Sequence, residues 1–188
     1  LEFRRVLFRS GKDDPVSRAV LDELDREAVD TRYVRQTSEM RASYSTILLA
    51  MSGERTILNY HGSVPHPEDI ARQFDAMDGV NWVYPTALGH FETLERIVHE
   101  AKRRSVKVML NPAGSELAEP DKLRALLDEI DILCLNKEEM QMLVEGDTLE
   151  ELVRHGLNYC SVVIVSDGPD RKSTRLNSSH EWISRMPS

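Results

Sequence analysis

Long apolar runs are missing from this chain. A membrane-spanning helix needs roughly 18 or more apolar residues, whereas the strongest runs here, residues 47–51 and 162–165, have only the length of a β-strand. The balance of 40% hydrophobic and 30% charged residues is that of an ordinary globular protein. We therefore expect a soluble protein, and its 188 residues suit one domain.

Cysteine is also scarce, and no metal-ligand spacing accompanies it. Cys134 and Cys160 each lie in or beside a strand-like run, which favours free, buried thiols in a reducing cytoplasm over a disulfide framework. The six histidines form no triad pattern. His61, in "NYHGS", is the one histidine placed where a returning strand would meet a ligand cleft.

An excess of positive charge is absent from most of the chain. The net charge is −8, although residues 1–10 and 171–188 are both net basic. Residues 11–170 therefore carry more than the whole negative excess, which opposes binding to nucleic acid or to anionic lipid.

The two basic ends differ in style from the rest. "LEFRRVLFRS" (1–10) and "RKSTRLNSSHEWISRMPS" (171–188) have no clear period and no turn that separates them from their neighbours. We interpret both as linker-like, non-native flanks; a basic targeting arm and a disordered tail are the alternatives. On this interpretation, residues 11–170 are an interior piece of a longer protein.

Strand patterns alternate with helix patterns through most of residues 11–170. After a first helix that starts at Asp14-Pro15, with Val16, Val20, Leu24 and Ala28 on one face, two β-rich runs joined at Ser52-Gly53 predict a hairpin over about residues 42–60. Apolar strands then alternate with amphipathic helices. This order predicts an α/β fold with a mostly parallel sheet, helices on both faces and the hairpin as a small lid.

Polar residues follow three of the predicted strands. They are Asn111 in "LNPAG", Asn136 with Glu139 in "LNKEE", and Ser166, Asp167 and Gly168 in "VSDGP". The carboxyl ends of parallel strands open onto one edge, so these residues predict one shared cleft. Asn136 and Glu139 have two interpretations that can both hold: a helix-capping box, or a site where a Mg²⁺ ion separates the Glu139 carboxylate from a phosphate.

Taken in order, these motifs resemble the ribokinase, or PfkB, family of carbohydrate kinases. The segment "GKDDPVSRAVLDELDREAVDTRYV" is similar to the family's Gly-Lys-Asp segment, and "SYSTILLAMSGERTILNYHGS" to its lid and sugar-site region. "LNPAG" resembles its phosphate-side loop, "NKEE" its Asn-x-x-Glu motif, and "VIVSDGP" the start of its nucleotide-binding region. The resemblance covers residues 11–170 and implies a ribokinase-like fold, incomplete in this chain.

The resemblance also implies roles for residues. Asn136 and Glu139 would organise Mg²⁺ and the phosphates of ATP, with Glu139 reaching the metal through water. Asn111 would line the phosphate side, and Ser166, Asp167 and Gly168 would approach the nucleotide. Asn59 and Gly62 would face a small-molecule sugar.

Two motifs of the family are absent from the sequence. The Gly-rich opening strand would precede Gly11, and the Gly-Ala-Gly-Asp loop that supplies the catalytic base would follow Gly168, yet no Gly-x-Gly-Asp occurs in the chain. We therefore expect this chain to have no catalytic residue and to be inactive by itself. The alternatives are a noncatalytic module that binds a sugar or dimerises, with the hairpin as the possible dimer contact, and a nucleoside or sugar-phosphate kinase of the same family.

Overall fold

The computed structural model describes residues 9–51, 54–60, 62–63, 67–76, 79–167 and 171–176. The chain forms two compact units, Leu1–Met77 and Asp78–Ser188. Among the described residues, no helix is both long enough and apolar enough to cross a membrane.

The first unit contains a parallel strand pair, an antiparallel hairpin and two helices. β1 pairs with β2, and β3 pairs with β4 in a register that places Tyr44 opposite Tyr60. The predicted hairpin tip, Ser52-Gly53, lies outside the described residues. The elements are β1 Arg9–Gly11, α1 Pro15–Arg26, β2 Arg35–Thr37, β3 Tyr44–Leu49, β4 Arg55–Tyr60 and α2 Pro67–Ala76.

The first helix begins where the sequence indicates and ends earlier than its apolar stripe. Asp14 caps α1, because its carboxylate accepts a hydrogen bond from the Ser17 N–H at 3.1 Å, and Pro15 occupies the first turn. The helix stops at Arg26. Ala28, which the stripe includes, has a φ of +54°, and this left-handed conformation cannot continue a right-handed helix.

The second unit contains a five-stranded sheet with the order β5-β6-β7-β8-β9. The first four strands are parallel, and β9 pairs with β8 in the antiparallel direction. The elements are β5 Trp82–Val83, α3 Phe91–Arg103, β6 Lys107–Leu110, α4 Pro120–Leu126, a 3₁₀ turn Leu127–Glu129, β7 Ile132–Asn136, α5 Lys137–Leu143, α6 Leu149–Gly156, β8 Val162–Asp167 and β9 Arg171–Leu176.

Alternate residues of the central strands form the core of this unit. Leu133 and Leu135 of β7 and Val163 and Val165 of β8 are at most 3% exposed, and the residues between them are only half-buried. Helix residues at helical spacing are buried as well: Leu94, Ile97, Val98 and Ala101 in α3, and Leu152 and Val153 in α6. The observed architecture is the predicted α/β arrangement with a mostly parallel sheet.

Strand β9 lies in a segment where the sequence shows no periodic pattern. Its register places Asp167 opposite Arg171 and Val162 opposite Leu176. An edge strand needs main-chain partners on one side only, so its polar sequence need not show the apolar pattern of an interior strand.

Candidate functional site

The ends of four parallel strands meet at one edge of the sheet in the second unit. Asn136, the last residue of β7, lies opposite Ser166 near the end of β8. Asn111, just after β6, forms a bridge with Thr86, just after β5. The strand-end residues that the sequence singles out in this unit are therefore neighbours along one carboxyl edge.

Asn111 ties three strand ends together through its side chain. Its Nδ2 donates a hydrogen bond to the main-chain carbonyl of Cys134 at 2.8 Å, and its Oδ1 accepts one from the Thr86 hydroxyl at 3.3 Å. Its main chain adds two bonds: its N–H donates to the Pro85 carbonyl, and its carbonyl accepts from Ala87 N–H, both at 3.1 Å. The geometry gives Asn111 a positioning role at this edge.

Asn136 and Glu139 form a complete capping box at the start of α5. Asn136 Oδ1 accepts a hydrogen bond from the Glu139 N–H at 2.8 Å. Glu139 Oε2 accepts one from the Asn136 N–H at 2.9 Å. Each side chain thus satisfies a main-chain donor that the helix itself leaves without a partner, which realises the structural interpretation of this motif.

The capping box also leaves part of Glu139 available to a ligand. Only its Oε2 is engaged, and Oε1 accepts no hydrogen bond from the residues that the structure describes. Among those residues, no three His, Cys, Asp or Glu side chains group together as metal ligands. One half-buried carboxylate suits Mg²⁺, which keeps several waters and takes its remaining ligands from substrate phosphates.

The end of β8 contributes the last of the predicted residues. Ser166 and Asp167 are half-buried, and they pair with Lys172 and Arg171 of the neighbouring strand. The main chain of Asp167 is therefore held in the sheet. Gly168 lies outside the described residues.

Sequence reasoning missed the buried carboxylate of Glu116, which lies beside this edge of the sheet. Its side chain is 1% exposed. Oε1 accepts a hydrogen bond from Gly89 N–H at 2.7 Å, and Oε2 accepts one from Ala113 N–H at 3.0 Å. Glu116 therefore clamps the loop after β5 to the loop after β6. A lone glutamate in a polar loop has no period or motif that would have revealed it.

The loop after β5 also holds a strained residue. Ala87 has a φ of +44°, a conformation that side-chain-bearing residues adopt at a cost of about 1–2 kcal/mol. Such strain persists where surrounding bonds fix the backbone. Here the bridge between Thr86 and Asn111 and the clamp on Gly89 supply those bonds, so the loop is rigidly shaped at the sheet edge.

The thiol at this edge is not a nucleophile. Burial raises the pKa of Cys134 to about 11, and the neighbouring Cys160 adds to the shift. Burial likewise raises the pKa of Cys160, whose thiol contacts the carbonyls of Ile130 and Val162 at 3.3 Å. Both cysteines are free, as the sequence predicts, and both remain protonated thiols at neutral pH.

The two predicted sugar-side residues lie in the first unit. Asn59 is exposed on β4, and its Oδ1 accepts a hydrogen bond from the Ser45 hydroxyl at 2.7 Å. Gly62 donates its N–H to the Ser43 hydroxyl at 2.9 Å. A Cβ on Gly62 would lie 2.3 Å from the Arg41 carbonyl oxygen, so only glycine fits this close approach of two chain segments. His61 lies outside the described residues.

Comparison with known proteins identifies relatives of this chain. The family described as pfkB family carbohydrate kinase matches residues 7–171. A ribokinase of Staphylococcus aureus (strain COL) is 28% identical over 149 residues, which cover 78% of this chain and 48% of the ribokinase. A ribokinase of Haemophilus influenzae is 27% identical over 143 residues, which cover 73% and 44% of the two chains. The chain spans about half the length of these relatives.

Solved structures share the fold at low identity. A ribokinase of Arabidopsis thaliana, complexed with ribose and ATP, superposes with a TM-score of 0.73 at 18% identity, covering 96% of this chain and 60% of its own. A protein of E. coli described as a ribokinase II, with ATP and Mg²⁺, gives 0.74 at 16%, covering 98% and 63%. A nucleoside kinase of Burkholderia thailandensis, in complex with inosine, gives 0.72 at 15%, covering 97% and 59%.

The family match covers most of the chain, and solved structures superpose on nearly all of it. The fold is ribokinase-like, and the chain belongs to the pfkB family of carbohydrate kinases.

Proposed function

We propose that the protein is an ATP-dependent carbohydrate kinase that transfers the γ-phosphoryl group of ATP to a hydroxyl of a small sugar. The observation that carries this proposal is the Asn136–Glu139 capping box at the carboxyl edge of a parallel sheet, next to Ser166, in a chain of this family. Ligands of open α/β sheets bind at that edge.

Several residues of the chain would bind the ATP phosphates and Mg²⁺, each with a separate role. Glu139 would hold Mg²⁺ through water with its second carboxylate oxygen, and the capping box fixes the direction of that carboxylate. Bound Mg²⁺ would supply charge neutralisation for the ATP phosphates. Asn111 would shape the phosphate side by positioning the loop beside it, and Ser166, Asp167 and Gly168 would approach the nucleotide.

The sugar would meet the segments around Asn59 and Gly62. The Asn59 side chain is exposed and polar, which suits a sugar hydroxyl. Gly62 has no side chain to offer the sugar, and its close packing on Arg41 already requires a glycine for structural reasons. Its contribution would be a main-chain approach to the sugar and the shape of the hairpin base. A cytoplasmic location, which the free thiols favour, belongs to the same proposal.

We further infer that the 188-residue chain does not catalyse this transfer by itself. The resemblance to the family implies that the catalytic base comes from a Gly-Ala-Gly-Asp loop, and the sequence contains no Gly-x-Gly-Asp. Without such a base, no residue of the chain is assigned to take the proton from the sugar hydroxyl.

Two alternatives have specific support. The first is a different substrate. A nucleoside kinase of the same fold has been crystallised with inosine, so nucleosides should be tested after sugars, and phosphorylated sugars after nucleosides. A noncatalytic sugar-binding or dimerising module is supported by the hairpin, whose strands β3 and β4 are exposed along their whole length. A homodimer through that hairpin is compatible with each of these functions.

The experiment begins with the genomic locus on either side of codons 11 and 170. If it encodes a Gly-rich strand upstream and Gly-x-Gly-Asp downstream, residues 1–10 and 171–188 are non-native, and the extended protein is expected to release ADP from ATP with a sugar acceptor. A panel of sugars, sugar phosphates and inosine identifies the acceptor. An extended protein that phosphorylates none of them, or phosphorylation by the 188-residue chain, would contradict the corresponding half of the proposal.

A further inference from the structure

Hydrogen bonds join the loops after β5 and β6 into a closed ring at the carboxyl edge of the sheet. Glu116 accepts one bond from Gly89 N–H at 2.7 Å and one from Ala113 N–H at 3.0 Å. On the opposite side of the ring, the Asn111 carbonyl accepts a bond from Ala87 N–H at 3.1 Å. The main chain connects Ala87 to Gly89 and Asn111 to Ala113, so the loss of any of these bonds opens the ring.

The Asn111 side chain is attached to this ring in a fixed orientation. Its Nδ2 donates to the Cys134 carbonyl, so its Oδ1 accepts from the Thr86 hydroxyl, which belongs to the loop after β5. The amide nitrogen carries two hydrogens, and the second has no acceptor among the residues that the structure describes. A donor at this edge suits an oxygen of an ionised phosphate, which can only accept hydrogen bonds.

The loop after β5 is strained at Ala87, where φ is +44°. Among the described residues, the other side-chain-bearing positions with a positive φ are Ala28 and Ser105. Each of them directly follows the C-cap of a helix, where this conformation is common. Ala87 follows a strand instead. Strain of that kind persists where other contacts hold it, and it clusters at functional sites.

Glu116 is itself a costly residue at this position. It is 1% exposed, and of the residues that the structure describes, no Lys, Arg or His forms an ion pair with it. Burial of a carboxylate without a cation beside it opposes folding. Proteins tend to retain such locally unfavourable choices at functional sites.

We propose that Glu116 is a positioning residue for the phosphate side of the ligand site and that it acts through Asn111 without contacting the ligand. The inference rests on the proposed function, because that function assigns Asn111 to the ATP phosphates. Both carboxylate oxygens of Glu116 are engaged by main-chain donors. If the ring opens, the strain at Ala87 favours a relaxed loop, and the Thr86 partner of Asn111 moves with that loop.

Calorimetric titration of the 188-residue chain with Mg·ATP measures the effect. Glu116→Gln keeps the shape of the side chain and removes one of its two acceptors. We expect it to weaken Mg·ATP binding about fivefold, with circular dichroism as the check that the variant is folded during the titration. Glu119→Gln alters an exposed carboxylate of the same loop, and Glu100→Gln alters a buried carboxylate of α3. Both controls should leave the affinity within about twofold of the wild-type value.

A double-mutant cycle distinguishes positioning from a general loss of stability. When Asn111→Ala is already present, Glu116→Gln should weaken binding by less than about twofold, because residues that act through each other are not additive.

A second-site change provides a separate test if Asn111→Ala does not fold. Glycine adopts a positive φ without strain, so Ala87→Gly added to Glu116→Gln should restore the affinity to within about twofold of the wild type. Ser105→Gly relieves the same kind of strain at the end of α3 and should restore none of it.

The outcomes separate this inference from the proposed function. If the wild type binds Mg·ATP and Glu116→Gln binds equally well, the inference is wrong and the proposed function stands. Equal losses in Glu116→Gln and Glu100→Gln, additivity with Asn111→Ala, or equal rescue by Ala87→Gly and Ser105→Gly would also overturn it. A wild-type chain that binds no Mg·ATP would overturn the phosphate side of the proposed function, and this inference with it.

Discussion

Replacement of Glu116 by glutamine tests whether a buried carboxylate holds two loops in place at the sheet edge. Glu116 is 1% exposed and accepts hydrogen bonds from Gly89 N–H and Ala113 N–H, one on each oxygen. Glutamine has nearly the same shape, but its amide offers one acceptor and one donor group. One of the two main-chain N–H groups would then face another donor.

The cost can be worked out from these two bonds. An unsatisfied buried N–H costs about 1–3 kcal/mol, and the remaining bond falls from the charged range of about 1.5–3 to the neutral range of about 0.5–1.5 kcal/mol. The neutral amide is cheaper to bury than the carboxylate, which offsets part of this loss. We expect a net loss of about 2 kcal/mol in the free energy of unfolding, or a fall in Tm of about 4–8 °C for a chain of this size.

Urea unfolding followed by circular dichroism measures this difference. Glu119→Gln is the matched control: Glu119 lies in the same loop, its side chain is 45% exposed, and it pairs with the exposed Lys122. Such a surface pair contributes at most about 1 kcal/mol, and usually less. If the free energy of unfolding of Glu116→Gln lies within about 0.5 kcal/mol of the wild-type value, the clamp does not stabilise the fold as argued. The shortfall from the expected loss of about 2 kcal/mol would then exceed the usual error for a single contact.

Three further predictions concern other parts of the chain. The pKa of Glu100 is lowered, chiefly by a hydrogen bond from Arg103. The stability that the ionised Glu100 contributes is complete above the unfolded-state pKa of about 4.3 and is lost as pH falls through the lower folded value. Glu100→Gln should therefore lose less free energy of unfolding on acidification than the wild type. Gly62→Ala should destabilise the first unit by about 1–3 kcal/mol in urea melts, since its Cβ would collide with main-chain atoms; an unchanged midpoint would contradict that packing. Cys134, with its pKa raised to about 11, should react with a disulfide reagent at neutral pH roughly a hundredfold more slowly than after unfolding, and an equal rate would exclude the burial described.

Much of the fold could be predicted because capping residues and apolar periodicity depend only on residues close together in the chain. Asn136 followed three residues later by Glu139 is a helix start in sequence, and the two side chains cap α5 as expected. Short apolar strands alternating with amphipathic helices identified the parallel sheet. The β3–β4 hairpin followed from two β-rich runs, and its register then determined which side chains share a face.

What the sequence could not predict depends on contacts between distant segments. Glu116 bonds Gly89, 27 residues away, and nothing near Glu116 in the chain encodes that contact. Asn111 likewise donates a hydrogen bond to Cys134 on the next strand, a contact that its motif does not indicate. The close approach of Gly62 to Arg41 is of the same kind. Local patterns carry no information on such pairings.

The most direct test of the central claim asks whether the Asn136–Glu139 box binds a metal-phosphate group as well as capping a helix. The chain contains a matched control, the capping box of Thr148 and Glu151 at the start of α6. Glutamine is accepted at this position of a capping box, so Glu139→Gln and Glu151→Gln should both keep their helices and differ only in which carboxylate is lost.

Calorimetric titration of the purified chain with Mg·ATP measures that difference. We predict that Glu139→Gln weakens Mg·ATP binding about tenfold, equivalent to about 1.4 kcal/mol, and that Glu151→Gln leaves the affinity unchanged. If the wild type binds and Glu139→Gln binds equally well, or if both variants lose affinity alike, the box at Asn136 is a helix cap only, and its assignment to the metal and the phosphates is wrong.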